Sequence, residues 1–252
     1  MERTVNHVQR VYLVLFLALV ALIAVLSLPP MAQDPAYHDF ADNRAFFGIP
    51  AFLNVVTNLA FLIVGIVGVR ACATVAGARW AWLICFGGVA LVGIGSGYYH
   101  LAPDNSTLVW DRLPMSVGFM GLLVAVLVEH LHPRLEKILL APAMLLGIAS
   151  VVVWHVADDL RLYAWVQFMP LLVIPAIMLL FEGRFTHRHL LLVALAIYAV
   201  AKLAEHYDHV VFEATGQIIS GHSLKHLLAA AALFVVHAML RRRMAAPGSE
   251  SA

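Results

Sequence analysis

Eight stretches of about twenty residues pass through this chain with scarcely a charge, at 11–29, 49–69, 80–100, 113–131, 137–157, 162–181, 189–206 and 222–240. A helix rises ~1.5 Å per residue, so about 20 apolar residues cross a hydrocarbon core of ~30 Å. Lipid offers the backbone no hydrogen-bond partner, which confines such segments to helices that satisfy their own N–H and C=O groups. With 62% hydrophobic and 12% charged residues, little sequence is left for a soluble domain. The expectation is all-α: a polytopic transmembrane helix bundle, with a seven-helix core and one extra N-terminal transmembrane helix. Residues 1–48 form that extra helix and an acidic outer loop, 49–240 the core, and 241–252 a cytoplasmic tail. The seventh span has the weakest signal, because Lys202, Glu205 and His206 fall in its last turns.

Charges in the connections set the orientation, since short cytoplasmic loops are enriched in Lys and Arg. Numbered alternately, one side receives Arg3, Arg10, Arg70, Arg79, Arg134, Lys137, Arg184, Arg188 and Arg241 to Arg243. The other collects Asp34, Asp39, Asp42, Asp104, Asp111, Asp158, Asp159, Asp208 and Glu213, with only Arg44, Arg112 and Arg161. Eight spans therefore place both termini in the cytoplasm. A cleaved secretory signal is the competing reading of the first span, but its apolar run exceeds the usual ~7–15 residues. A net charge of +1 argues against a nucleic-acid partner. Cys72 and Cys85 lie on the cytoplasmic side, where a disulfide is not expected.

Against this apolar background a few ionisable residues stand out, and such residues in lipid usually mark function. Ser96 and His100 are four apart and share one helix face near the outer end of the third span. His222 and His226 are also four apart, at the outer start of the last span, and Asp111 opens the fourth span at the same side. Each has an ordinary explanation. Thirteen histidines make one pair at this spacing unsurprising. Ser96 lies within the small-residue ridge Gly93 to Gly97, where packing explains it, and Asp111 before Leu113 and Pro114 has the placement of an N-cap. Their agreement in depth and side is what those explanations leave over.

Three imidazoles with an open fourth position are the arrangement of catalytic zinc, which lowers the pKa of a bound water to about 7. On that reading His100, His222 and His226 hold zinc. Asp111 takes and returns the water's proton, and Ser96 donates to the developing oxyanion. A second polar cluster, Lys202, Glu205, His206, Asp208 and His209, precedes the last span. Within it Glu205 and Lys202 are expected to pair, and His206 is a candidate to orient a metal-bound histidine.

The strings Gly95-Ser96-Gly97-Tyr98-Tyr99-His100, Trp110-Asp111-Arg112-Leu113-Pro114-Met115, Ser220-Gly221-His222-Ser223-Leu224-Lys225-His226 and Asn54-Val55-Val56-Thr57-Asn58 resemble the alkaline ceramidase family. The resemblance runs from about Asp39 to Leu240. It implies a seven-span membrane amidase that cleaves ceramide into a sphingoid base and a fatty acid, with zinc on His100, His222 and His226 and with Ser96 and Asp111 in support. Two departures stand out. The first span is additional, and Ala51 occupies the place of a family glutamate associated with calcium. Asp39, Asp42 and Asn43 remain candidate oxygen ligands for calcium, with a solvated acidic loop as the alternative.

The leading reading is an integral membrane zinc hydrolase that takes ceramide or a related N-acyl lipid from the bilayer, with its site toward the periplasmic or luminal side. The alternative is a zinc-binding, receptor-like seven-helix protein with little or no hydrolase activity, although a purely structural zinc has no need of Ser96 and Asp111. A haem protein or proton-coupled transporter fits less well: its histidines belong near mid-membrane, and no inverted repeat is visible.

Overall fold

The computed structural model describes residues 6–246; Met1 and Arg3, and positions 247–252 of the tail, lie outside the described residues. Among the described residues ten α-helices follow one another: α1 (His7–Leu26), α2 (Phe52–Val56), α3 (Leu59–Ala71), α4 (Arg79–Leu101), α5 (Asn105–His130), α6 (Leu135–Ala157), α7 (Arg161–Leu180), α8 (Leu190–His206), α9 (Asp208–Ala214) and α10 (Gly221–Arg242). The short α2 and α3 together make one span, Phe52–Ala71. Among the described residues seven helical segments are long and apolar enough to cross a membrane. They become eight when α8 and α9, bent by 86°, count as one. The molecule is thus an all-α polytopic bundle, as the apolar runs require.

Helix starts follow from local chemistry. Asn6 and Gln9 form a capping box at α1, and Asp104 accepts the N–H groups of Ser106 and Thr107 at α5. Ser220 caps α10 by accepting the Ser223 N–H at 3.0 Å. The α5 cap corrects one expectation. Asp111 is not an N-cap, because the helix begins at Asn105 and carries Asp111 and Pro114 inside it.

Proline 114 has a consequence for packing. It has no N–H to offer the carbonyl of Trp110 four residues earlier, and that carbonyl lies against Gly95 of α4. A Cβ on Gly95 would sit 1.9 Å from it. At Gly88, two turns earlier, a Cβ would come within 2.8 Å of the Pro114 carbonyl. Residues without side chains thus bring α4 and α5 together, as small residues do between helices in lipid. Gly97 meets nothing within 4 Å, so the ridge works through Gly93 and Gly95 instead.

Helix α4 packs between α3 and α5, and α10 packs between α8 and α3. Helix α1 rests against α7 and presents most of its surface outward; 6% of its apolar window is buried. Arg10 Nη1 donates to the Leu180 carbonyl and Trp165 Nε1 to the Ala18 carbonyl, which fix α1 at both heights. At the end of the bundle far from the histidines, Arg243 is more than the charged anchor that its position in a basic run suggested. It forms two hydrogen bonds to buried Glu129, at 2.7 and 2.8 Å, and the same carboxylate accepts the Trp82 Nε1–H at 2.6 Å. Cys72 and Cys85 are free thiols, buried in packing.

Candidate metal centre

The end of α4 and the start of α10 bring three buried imidazoles together. The Nε2 atoms of His100 and His222 lie 3.2 Å apart, and ring centroids among His100, His222 and His226 are separated by 4.8 to 5.1 Å. One ligand nitrogen from each falls within 4.8 Å of the others. Among the described residues this is the one group of three or more His, Cys, Asp or Glu side chains so placed. The i, i+4 spacing puts two rings on one face of α10, and α4 supplies the third.

The donor set fits a metal ion. Imidazole nitrogens at ~2.0–2.1 Å around a tetrahedral ion stand ~3.3 Å from one another, close to the His100–His222 separation. His226 Nε2 is buried with no hydrogen-bond partner, while its Nδ1 lies 2.9 Å from the Thr57 hydroxyl. A ring nitrogen held by a neighbour and its opposite left open is how a protein presents an imidazole to a metal. All three rings are almost fully buried, at 1–4% exposure.

Residues that reasoning from the sequence did not assign hold these rings. Thr57 comes from the break between α2 and α3. Asn54, fully buried, accepts the Ser223 hydroxyl at 2.7 Å and donates to the Asp42 carbonyl at 3.1 Å, which ties α2 to α10 and to the loop 27–51. Asp208 accepts the His222 N–H at 2.7 Å and the Ala41 N–H at 2.9 Å. Phe40 from that loop covers the imidazoles, its ring 4.4 Å from that of His222 and 4.8 Å from that of His100. Polar side chains at these positions in an apolar sequence were the available signal; which ring each would meet was not encoded locally.

Ser96 and Asp111 are both buried, and both line the cavity beside His226. Glu205 does pair with Lys202, and with Lys225 at 2.9 Å as well. His206 is not brought to the metal-type cluster. It is the last residue of α8, exposed and packed on Tyr207. In the acidic loop, Arg44 holds both Asp42 oxygens at 2.8 Å and keeps its carboxyl below the ordinary carboxylate range. Asn43 donates to Phe40, and Asp39 follows a single 3-10 turn.

A cavity of about 540 Å³ opens beside His226. Ser96, Asp111, Lys202, Glu205 and Lys225 line its polar end, and Val89, Phe119, Leu122, Ile174, Leu195 and Val236 its deeper part. From His226 to Val236 the wall runs ten residues, about 15 Å along α10. That is half of a ~30 Å hydrocarbon core, the depth of one leaflet. Helices α7 and α8 both line the cavity, yet they do not pack along each other.

Fold and site together define a polytopic membrane protein with a buried metal-type histidine cluster at the head of a lipid-sized cavity. A family model described as Ceramidase matches residues 45–247, and the chain belongs to the ceramidase family. Membership implies a membrane amide hydrolase with a lipid substrate. No curated protein matches the chain.

Proposed function

We propose that this protein hydrolyses the amide of ceramide or a related N-acyl lipid, giving a sphingoid base or amine and a free fatty acid, with zinc held by His100, His222 and His226. The observation that carries this reading is the junction of the histidine cluster with the leaflet-deep cavity, at which Ser96 and Asp111 face the same space as His226. Zinc there would supply Lewis-acid activation of water and of the substrate carbonyl.

The chain's own groups do the rest. The apolar wall takes the acyl chain and leaves the amide at the polar end. Asp111 accepts a proton as water adds to the carbonyl carbon and returns it to the amine as the C–N bond breaks. Ser96 has one hydroxyl proton. Donated to Asp111 it orients that carboxylate; a turn about one side-chain torsion directs it to the oxyanion. Glu205 neutralises part of the charge of Lys202 and Lys225. Asp39, Asp42 and Asn43, the candidate calcium ligands, have no role in these steps, and Arg44 is ion-paired with Asp42.

The distribution of basic residues in the sequence supports a site toward the periplasmic or luminal side, with both termini cytoplasmic. Residues 49–240 form the catalytic core, 1–48 an additional helix and outer loop, and 241–252 the tail.

The test is metal analysis of the purified protein and its incubation with a fluorescent ceramide, beside a His222→Ala/His226→Ala variant. One zinc per chain with fatty-acid release in the parent, both lost in the variant, is the expected result. A parent that folds but holds no zinc overturns the metal assignment. Bound zinc without release from any N-acyl lipid favours a receptor.

A further inference from the structure

The residue after Asp111 has no place in the chemistry above. Arg112 is 4% exposed, and it lines the outer end of the cavity together with Gln33, Tyr37 and Tyr163. Its guanidinium carbon lies 4.2 Å from the ring centroid of Trp154, 4.7 Å from that of Tyr163 and 5.3 Å from that of Tyr37. Nη2 donates to Gln33 Oε1 at 2.7 Å, and Nη1 has no hydrogen-bond partner. Among the described residues no carboxylate forms an ion pair with it.

A buried guanidinium at the edge of lipid normally carries a partner. Ring faces offset part of the cost of its burial but leave the charge in place. The neighbouring groups do not remove it either. Lys202 and Lys225 share the one carboxylate of Glu205. Neither Asp111 nor Asp34 forms an ion pair with it, and Asp34 at the rim caps its own turn through the Ala36 N–H. The lining holds Arg112, Lys202 and Lys225 with Glu205, Asp111 and Asp34, and of the three cations Arg112 alone has no carboxylate in an ion pair with it among the described residues.

Resting on the hydrolase reading, we infer that this end of the cavity is a subsite for an anionic group, a carboxylate or phosphate, on the amine half of the substrate. With the acyl chain in the apolar part and the amide beside His226 and Asp111, the amine half extends toward Arg112. Its planar fork suits both anions. Hydrolysis of such a lipid adds water across the amide C–N bond and releases a fatty acid and an amine that keeps its anionic group. A guanidinium that only clamps the loop to α5 predicts no dependence on substrate charge.

The experiment uses the full-length, zinc-loaded protein and two substrate pairs of matched acyl chain: N-palmitoylglycine against N-palmitoylethanolamine, and ceramide phosphate against ceramide. A preference for the anionic member of either pair, roughly tenfold or more in kcat/KM and mostly through KM, is expected from one charge-assisted hydrogen bond. The pair that shows it separates carboxylate from phosphate. Arg112→Gln should collapse the ratio and Arg112→Lys restore part of it. Should Arg112→Gln fail to fold, the parent's ratio decides alone. A ratio near one in both pairs, or a preference that survives in Arg112→Gln, overturns the subsite. Hydrolysis of none of the four removes the hydrolase reading and the subsite with it, whereas hydrolysis of the neutral members alone removes only the subsite.

Discussion

The hydroxyl of Thr57 lies 2.9 Å from Nδ1 of His226, joining the start of the first core span to the start of the last across 169 residues of sequence. This contact fixes the ring so that Nε2 faces the other two imidazoles. Outer partners of this kind typically contribute 10- to 100-fold to metal affinity or activity. Thr57→Val keeps the shape and removes the hydroxyl. We expect zinc affinity to fall by roughly one to two orders of magnitude with the fold intact, read by competition with a chelating dye; unchanged affinity would show that packing alone orients the ring.

The seam between α4 and α5 depends on the missing side chain at Gly95. Adding a methyl there places a carbon 1.9 Å from the Trp110 carbonyl, backbone that cannot rotate away. Gly95→Ala is expected to lower stability by about 1–3 kcal/mol, as overpacking does. Gly97→Ala, with nothing within 4 Å, is the control and should be tolerated. Thermal unfolding in detergent compares the two, and equal stability would contradict the close approach.

Glu129 and Arg243 meet almost fully buried, their side chains 6% and 4% exposed. Removing one partner strands the other charge, a change that costs about 3–5 kcal/mol. Arg243→Ala should therefore destabilise strongly, and Glu129→Gln with Arg243→Met should recover much of the loss. The measurement is a double-mutant cycle on thermal stability. Additive effects would mean that the pair is not coupled.

Carboxylates in the outer connections govern stability in acid. Hydrogen bonds from Ser106 and Thr107 hold Asp104 at about 2, and Arg161 holds Asp159 at about 2, against an ordinary value of 3.8. Both pKa values are depressed on folding, so their contribution is fully present above about pH 4 and is lost as pH falls through about 2. Asp104→Asn with Asp159→Asn should flatten the decline of the unfolding temperature between pH 4 and 2. An unchanged decline would assign it to other groups.

The apolar runs, read against bilayer thickness, determined the all-helical class and the order of the spans, eight of them when α8 and the bent α9 count as one, because lipid leaves the backbone no other way to satisfy its hydrogen bonds. The i, i+4 histidines and the serine one turn before His100 were also legible, since helical periodicity alone puts such pairs on one face. Local reading erred at a helix boundary: Pro114 suggested a helix start, yet Asp104 caps α5 seven residues before Asp111. What tertiary structure alone decided was which faces meet. Gly95 admits the Trp110 carbonyl, Thr57 and Asp208 reach the histidines from other segments, Arg243 finds Glu129, and Arg112 is enclosed by three aromatic rings. Each of these contacts joins residues whose spacing in the chain carries no record of the meeting. The packing of whole helices, set by where small side chains permit close approach, brings them together.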